Sequence, residues 1–138
     1  MSQDRKAAVR RFYEIYNSGE LDALGEVMSA DYVNNDPQNP DPHASGLDAV
    51  KAQLAMYREA FPDLRFTVEE QVAEGDAVTT RWTVTGTQQG DLPDLPATGR
   101  RATVSGISID HFGADGKMVD GYTNWDTLGM LRQLGAAG

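Results

Sequence analysis

The 138-residue sequence contains no cysteine. Disulfide staples, thiolate nucleophiles and cysteine-ligated metals are therefore excluded. Basic residues are scarce: 12 Lys and Arg face 21 Asp and Glu, for a net charge of −9. That balance argues against nucleic-acid backbones and anionic membrane surfaces as partners. No apolar run approaches the length needed to cross a bilayer. The opening residues, Met1-Ser-Gln-Asp-Arg-Lys, lead into a charged amphipathic segment instead of an apolar signal core. The expectation is a cytoplasmic protein.

What is present is ordinary for a soluble globular chain: 40% apolar and 24% charged residues. The length suits one domain over 1–138 with one core. Residues 7–17 have a helical period, with Ala8, Val9, Phe12, Tyr13 and Tyr16 on one face. Gly19 is available as a left-handed cap. A short second helix is expected over 21–28, then a link or short strand at 30–33. The stretch 34–45 holds three prolines and three asparagines and reads as a long loop. Ser45 is placed to cap a third helix, with Asp48 as its capping-box partner. Val50, Leu54, Tyr57 and Phe61 form the apolar face of that helix, and Pro62 stops it.

From Leu64 the apolar period switches to two, through Phe66, Val68 and Val72. Glu74-Gly-Asp is a hairpin turn, and a β-rich run containing Trp82 follows it. Residues 88–99 form a second loop, whose Leu92, Leu95 and Pro96 are apolar enough to close over a site. The stretch 104–126 reads as two strands around a Gly-Ala-Asp-Gly-Lys turn. A short helix over 127–134 ends the fold. Helices first and a strand meander after them predict an α+β architecture: helices on one face of a curved antiparallel or mixed sheet, a cone or barrel with one open-mouthed pocket.

Strand alternation puts Ser108, Asp110 and Thr123 in one candidate polar row. Two placements are open. Either this row faces the pocket, or Ile107 and Ile109 are the core-facing set and Asp110 meets solvent. His111 points away from Asp110 in both. A carboxylate facing an apolar pocket has its pKa raised by desolvation, which suits it to proton transfer near neutrality.

Several pieces, in order, resemble the SnoaL-like polyketide cyclases of the nuclear-transport-factor-two-like superfamily. They are Val9-Arg-Arg-Phe-Tyr with Tyr16-Asn17, Ala60-Phe-Pro-Asp-Leu-Arg-Phe-Thr-Val-Glu, Arg81-Trp-Thr-Val-Thr-Gly-Thr and Pro96-Ala-Thr-Gly-Arg-Arg. Val104-Ser-Gly-Ile, Trp125-Asp126 and Leu131-Arg-Gln-Leu-Gly complete the set, which covers nearly the whole chain. The resemblance implies a cone-shaped α+β fold, a hydrophobic small-molecule substrate, a homodimer built on the outer sheet face and cofactor-free acid–base chemistry. In that family an aspartate on the last strand moves protons during an aldol ring closure, assisted by a histidine on the preceding strand and by an asparagine. Carried over by position, the asparagine falls on Asn34, the histidine on Asp110 and the aspartate on Thr123. A threonine hydroxyl cannot serve as a general base near neutral pH. The related limonene epoxide hydrolases have an arginine where this chain has Ser108.

Asp110 is therefore the candidate catalytic base. Asn34, Thr123 and Ser108 are candidate groups for holding a substrate oxygen. Trp82, Trp125 and Tyr13 are candidate pocket walls, and His43 is a candidate lid residue. Asp126 reads as a helix cap. His43 with Asp36 and Asp41 is read as a surface loop and not as a metal cluster; no metal or cofactor is expected. Two functions follow. One is an acid–base enzyme of the SnoaL-like type acting on a polyketide-like or terpenoid-like ester or ketone. The other is a binding or accessory protein that has lost the family acid/base at Thr123.

Overall fold

The computed structural model describes residues 2–36 and 46–136. Helix α1 (Ser2–Ser18) and a 3-10 turn (Leu21–Glu26) lead into strand β1 (Met28–Asn34). Helix α2 (Leu47–Ala60) precedes strands β2 (Arg65–Glu74), β3 (Ala77–Thr87), β4 (Arg101–Phe112) and β5 (Met118–Trp125), and helix α3 (Thr127–Gln133) ends the fold. The sheet order is β1-β5-β4-β3-β2. β1 runs parallel to β5, and the remaining neighbours are antiparallel. The expected α+β architecture with a mixed sheet packed against helices holds. β1 and β2 remain edges, so the sheet does not close into a barrel.

The 3.6-residue period of α1 buries Val9, Tyr13 and Tyr16. The helix ends before Gly19, which takes the left-handed φ of 79°. Arg58 of α2 donates to the carbonyls of Tyr16 at 2.8 Å and Asn17 at 3.0 Å, satisfying acceptors that the helix end leaves open. The Asn17 amide imitates a strand partner. It accepts from the Phe66 N–H at 2.7 Å and donates to the Phe66 carbonyl at 3.0 Å. These bonds fix the end of α1 against β2. Phe66 then stacks near Tyr16, Trp82 and Tyr13 at centroid distances of 4.7, 5.0 and 5.2 Å.

Local expectations are corrected in four places. The second helix is a 3-10 turn, and Met28 already begins β1. Asn34, expected to open a loop, is the last residue of that strand. Helix α2 is preceded by Gly46 at φ 100° with no side-chain cap, and Ser45 lies outside the described residues. Val72 does not share a face with Phe66 and Val68, because a bulge at Glu69 shifts the register by one residue and leaves Val72 63% exposed.

The 88–99 loop folds on itself around Gln88, whose side chain is fully buried. Its Nε2 donates to the Leu95 carbonyl at 3.2 Å, and its Oε1 accepts from the Thr98 N–H and hydroxyl at 3.2 and 2.9 Å. Gln89 and Gly90 both donate backbone N–H groups to the Ala60 carbonyl. The loop is thereby tied to the end of α2. As expected, Asp126 caps α3, accepting from the Gly129 N–H at 2.8 Å. Among the described residues no helix is long and apolar enough to cross a membrane.

Candidate active site

The register of β3, β4 and β5 aligns three inward rows: Val78–Asp110–Gly121, Thr80–Ser108–Thr123 and Trp82–Gly106–Trp125. On β4 the even-numbered residues from Ala102 to Phe112 face inward, while Ile107 and Ile109 are 50% and 39% exposed on the other face. Asp110 is buried. Of the two placements the sequence allows, the polar row faces inward.

Two glycines make room for this row. A Cβ at Gly121 would collide with the Tyr32 hydroxyl and lie 2.7 Å from Asp110 Oδ1. Without it, Tyr32 reaches from β1 over β5 and donates to Asp110 Oδ1 at 3.4 Å. A Cβ at Gly106 would collide with the Trp82 ring. The indole instead lies flat over Gly106 and donates Nε1–H to Ser108 Oγ at 3.0 Å. Ser108 Oγ in turn stands 3.0 Å from Thr123 Oγ1.

Burial pushes the Asp110 carboxyl up to about 7. The Tyr32 hydrogen bond and His111 oppose that rise, and Asp120 adds to it. Tyr32 and Tyr13 are both pushed above the usual phenol value, by burial first and then by the Asp110 charge, so both remain protonated. A carboxylate pushed by burial from its ordinary 3.8 to about 7 is poised to exchange a proton near neutrality.

These groups line a cavity of about 160 Å³. Of the residues singled out in the sequence, Asp110, Ser108, Thr123, Trp82, Trp125, Tyr13 and Asn34 line it. His43 lies outside the described residues. None of the 88–99 loop lines the cavity, so its Leu92, Leu95 and Pro96 do not close over it. His111 is on the outer face, 2.6 Å from Asp120 and edge-on to Tyr122.

The sequence reading missed Tyr32 and Gln53, which also line the cavity with Tyr57 of the α2 apolar face; Asp36, read as surface loop, is instead buried in the same lining. Tyr32 was readable in principle, since a strand through 32–34 puts Tyr32 and Asn34 on one face. The Asn34 side chain is engaged at both ends. It donates to Gln53 Oε1 at 2.5 Å and accepts from the Asp36 N–H at 3.0 Å. The Gln53 amide N–H groups and the second Asn34 N–H are not used within this pair. Asp36 is buried, and burial together with the Asp36 charge raises Tyr57 to about 12. Among the described residues no cluster of three or more His, Cys, Asp or Glu side chains is placed to hold a metal ion.

An aromatic cavity lined by two buried carboxylates, Asp110 and Asp36, and by several hydroxyl groups suits enolate chemistry. Known proteins carry the same frame. The profile of the SnoaL-like polyketide cyclases matches residues 6–134. The aklanonic acid methyl ester cyclase DnrD of Streptomyces peucetius is 33% identical over 129 residues, covering 92% of this chain and 88% of that protein. The aklanonic acid methyl ester cyclase AcmA of Streptomyces galilaeus is 30% identical over 135 residues, 94% of this chain and 89% of its own. The structure of TsrD from Streptomyces laurentii superposes with a TM-score of 0.89 at 29% identity, covering 99% of this chain and 98% of TsrD. With a matched profile over nearly its whole length and cyclase relatives at 30–33% identity, the chain belongs to the SnoaL-like polyketide cyclase family.

Proposed function

We propose that the protein is a cofactor-independent polyketide cyclase that closes a ring by intramolecular aldol addition, with Asp110 as its base. The observation that carries this reading is a buried carboxylate, raised to about 7, in the lining of an aromatic cavity. Asp110 takes a proton from the carbon next to a substrate carbonyl. The electron pair moves onto the carbonyl oxygen, where Thr123 donates a hydrogen bond to the enolate. The enolate carbon attacks a second carbonyl of the same molecule, and the resulting alkoxide receives the proton back from Asp110. Product and substrate are isomers, and no external oxidant or reductant enters. Tyr32 holds the carboxylate in place and keeps its pKa from rising further. Tyr13, Trp82 and Trp125 exclude water from the charged intermediate, and Gln53 with Asn34 binds a polar group of the substrate.

The test is incubation with aklanonic acid methyl ester, the compound named in DnrD and AcmA. Conversion appears as a new chromatographic peak at unchanged mass, and Asp110→Asn abolishes it. Binding of the ester without conversion by the wild type would instead favour an accessory protein. What supports that second reading is the carry-over by position from the family resemblance, which puts Thr123 at the place of the acid/base aspartate.

The outer sheet face exposes Ile107, Ile109 and Tyr122. We propose that a second copy of the chain covers this face. Sedimentation should give a dimer for the wild type and a monomer for Ile107→Lys; a monomeric wild type refutes the dimer.

A further inference from the structure

Ser108 Oγ has one proton and two lone pairs. Trp82 Nε1 and Thr123 Oγ1 each stand 3.0 Å from it. An indole N–H is a donor only. Trp82 therefore occupies one lone pair of Ser108 whatever its other neighbours do. Either hydroxyl of the Ser108–Thr123 pair can donate to the other. A carbonyl oxygen bound in the cavity that Thr123 lines is an acceptor only, so it takes the Thr123 proton and leaves Thr123 to accept from Ser108. With that oxygen bound, direction passes from Trp82 through Ser108 to Thr123. Both Trp82 and Ser108 are only 5% exposed, which keeps water from replacing either donor. Gly106 below the indole and Phe66 beside it hold the ring in the one orientation that aims Nε1 at Ser108.

We propose that Trp82 and Ser108 are positioning residues that set the polarity of a hydroxyl relay, so that Thr123 offers its proton to the oxygen of a bound carbonyl compound. The identity of that oxygen, an enolate or aldol alkoxide, rests on the cyclase reading. Thr123 then has a different task from the aspartate that the family resemblance places at this position. It stabilises negative charge on oxygen, while Asp110 transfers the proton. Hydrogen bonds in series polarise one another, so removing the first donor weakens the last one.

Four variants test the relay. Trp82→Phe keeps a ring and deletes the N–H; Ser108→Ala breaks the middle; Thr123→Val deletes the last hydroxyl; Thr123→Ser restores it. With aklanonic acid methyl ester, Trp82→Phe, Ser108→Ala and Thr123→Val should each lower kcat by roughly ten-fold or more, with a smaller change in KM. Thr123→Ser should stay close to wild type. Because Trp82 acts through Thr123, Trp82→Phe should cost little in a Thr123→Val background. Independent, multiplying losses would overturn the relay, as would a fully active Thr123→Val.

A second measurement does not depend on turnover. The chain has two tryptophans, so its amide NMR spectrum carries two indole N–H signals. The one lost in Trp82→Phe belongs to Trp82. Ser108→Ala should move that signal strongly, and Thr123→Val should move it less but measurably. A Trp82 signal indifferent to both variants defeats the proposal. If the wild type fails to convert the ester while the indole signal responds, the cyclase reading fails and the relay stands. The ester's dissociation constant then reads the carbonyl contact: weaker binding by Trp82→Phe and Thr123→Val supports it, and unchanged binding overturns it.

Discussion

Gly121 and Asp110 face each other across β5 and β4, and the space above the glycine is filled by the Tyr32 hydroxyl. The carboxylate, its donor and the absent side chain that lets them meet come from three different strands. Gly121→Ala places a methyl group in collision with that hydroxyl. Tyr32 must move, at a cost of about 1–3 kcal/mol in stability. Chemical denaturation checks the loss.

Tyr32→Phe tests the same contact without a clash. The Tyr32 hydrogen bond opposes the rise of the Asp110 pKa. Its removal should move the Asp110 titration upward, read as a later midpoint in carboxyl-carbon NMR. An unchanged midpoint would mean that the 3.4 Å contact carries no charge stabilisation.

Activity should follow the charged form of Asp110. A base works only when deprotonated, so kcat/KM should rise with pH and level off above about 7. A profile that stays flat over roughly two pH units on either side of that midpoint assigns the base elsewhere.

Asp110 should also cost the fold stability at alkaline pH. Its folded pKa, about 7, lies above the ordinary 3.8. The folded chain thus binds more protons than the unfolded chain between those values, and stability falls as pH rises through that window. Below 3.8 the carboxyl is neutral in both states, and above about 7 the penalty is constant. Asp110→Asn should therefore stabilise the protein at pH 8 by on the order of 2–4 kcal/mol relative to its effect at pH 3.5. Equal effects at both pH values would argue against a desolvated carboxylate.

Gln88→Ala separates stability from the site. Its loss leaves the Leu95 carbonyl and the Thr98 N–H and hydroxyl without their side-chain partner. The cost should be about 1–3 kcal/mol. Because no residue of 88–99 lines the cavity, ester binding at low temperature should remain at the wild-type level. A large affinity loss in the folded variant would restore the loop as part of the site.

The sequence alone determined the order of elements. Periodicity, glycine turns and proline stops are local signals, and each element needs only its own residues to declare itself. Alternation likewise grouped Ser108, Asp110 and Thr123 on one face, because a strand's period of two is intrinsic to its backbone. It could not say which face was buried, since Ile107 and Ile109 made the opposite choice equally good. That was decided by the strand order, which sandwiches β4 between β3 and β5 beneath the helices. The Val72 error has the same origin: a bulge is a property of two paired strands, and β2 alone gave no sign of it. Tyr32 and Gln53 were missed because their partners are 78 and 19 residues away. Gly106 and Gly121 read as plain strand glycines until Trp82 and Tyr32 are seen lying over them. Local sequence supplied a carboxylate and several hydroxyls; only packing across β1, β3, β4 and β5 removed water from Asp110 and gave the Trp82–Ser108–Thr123 chain its neighbours, because desolvation and hydrogen-bond direction exist only between residues that the fold brings together.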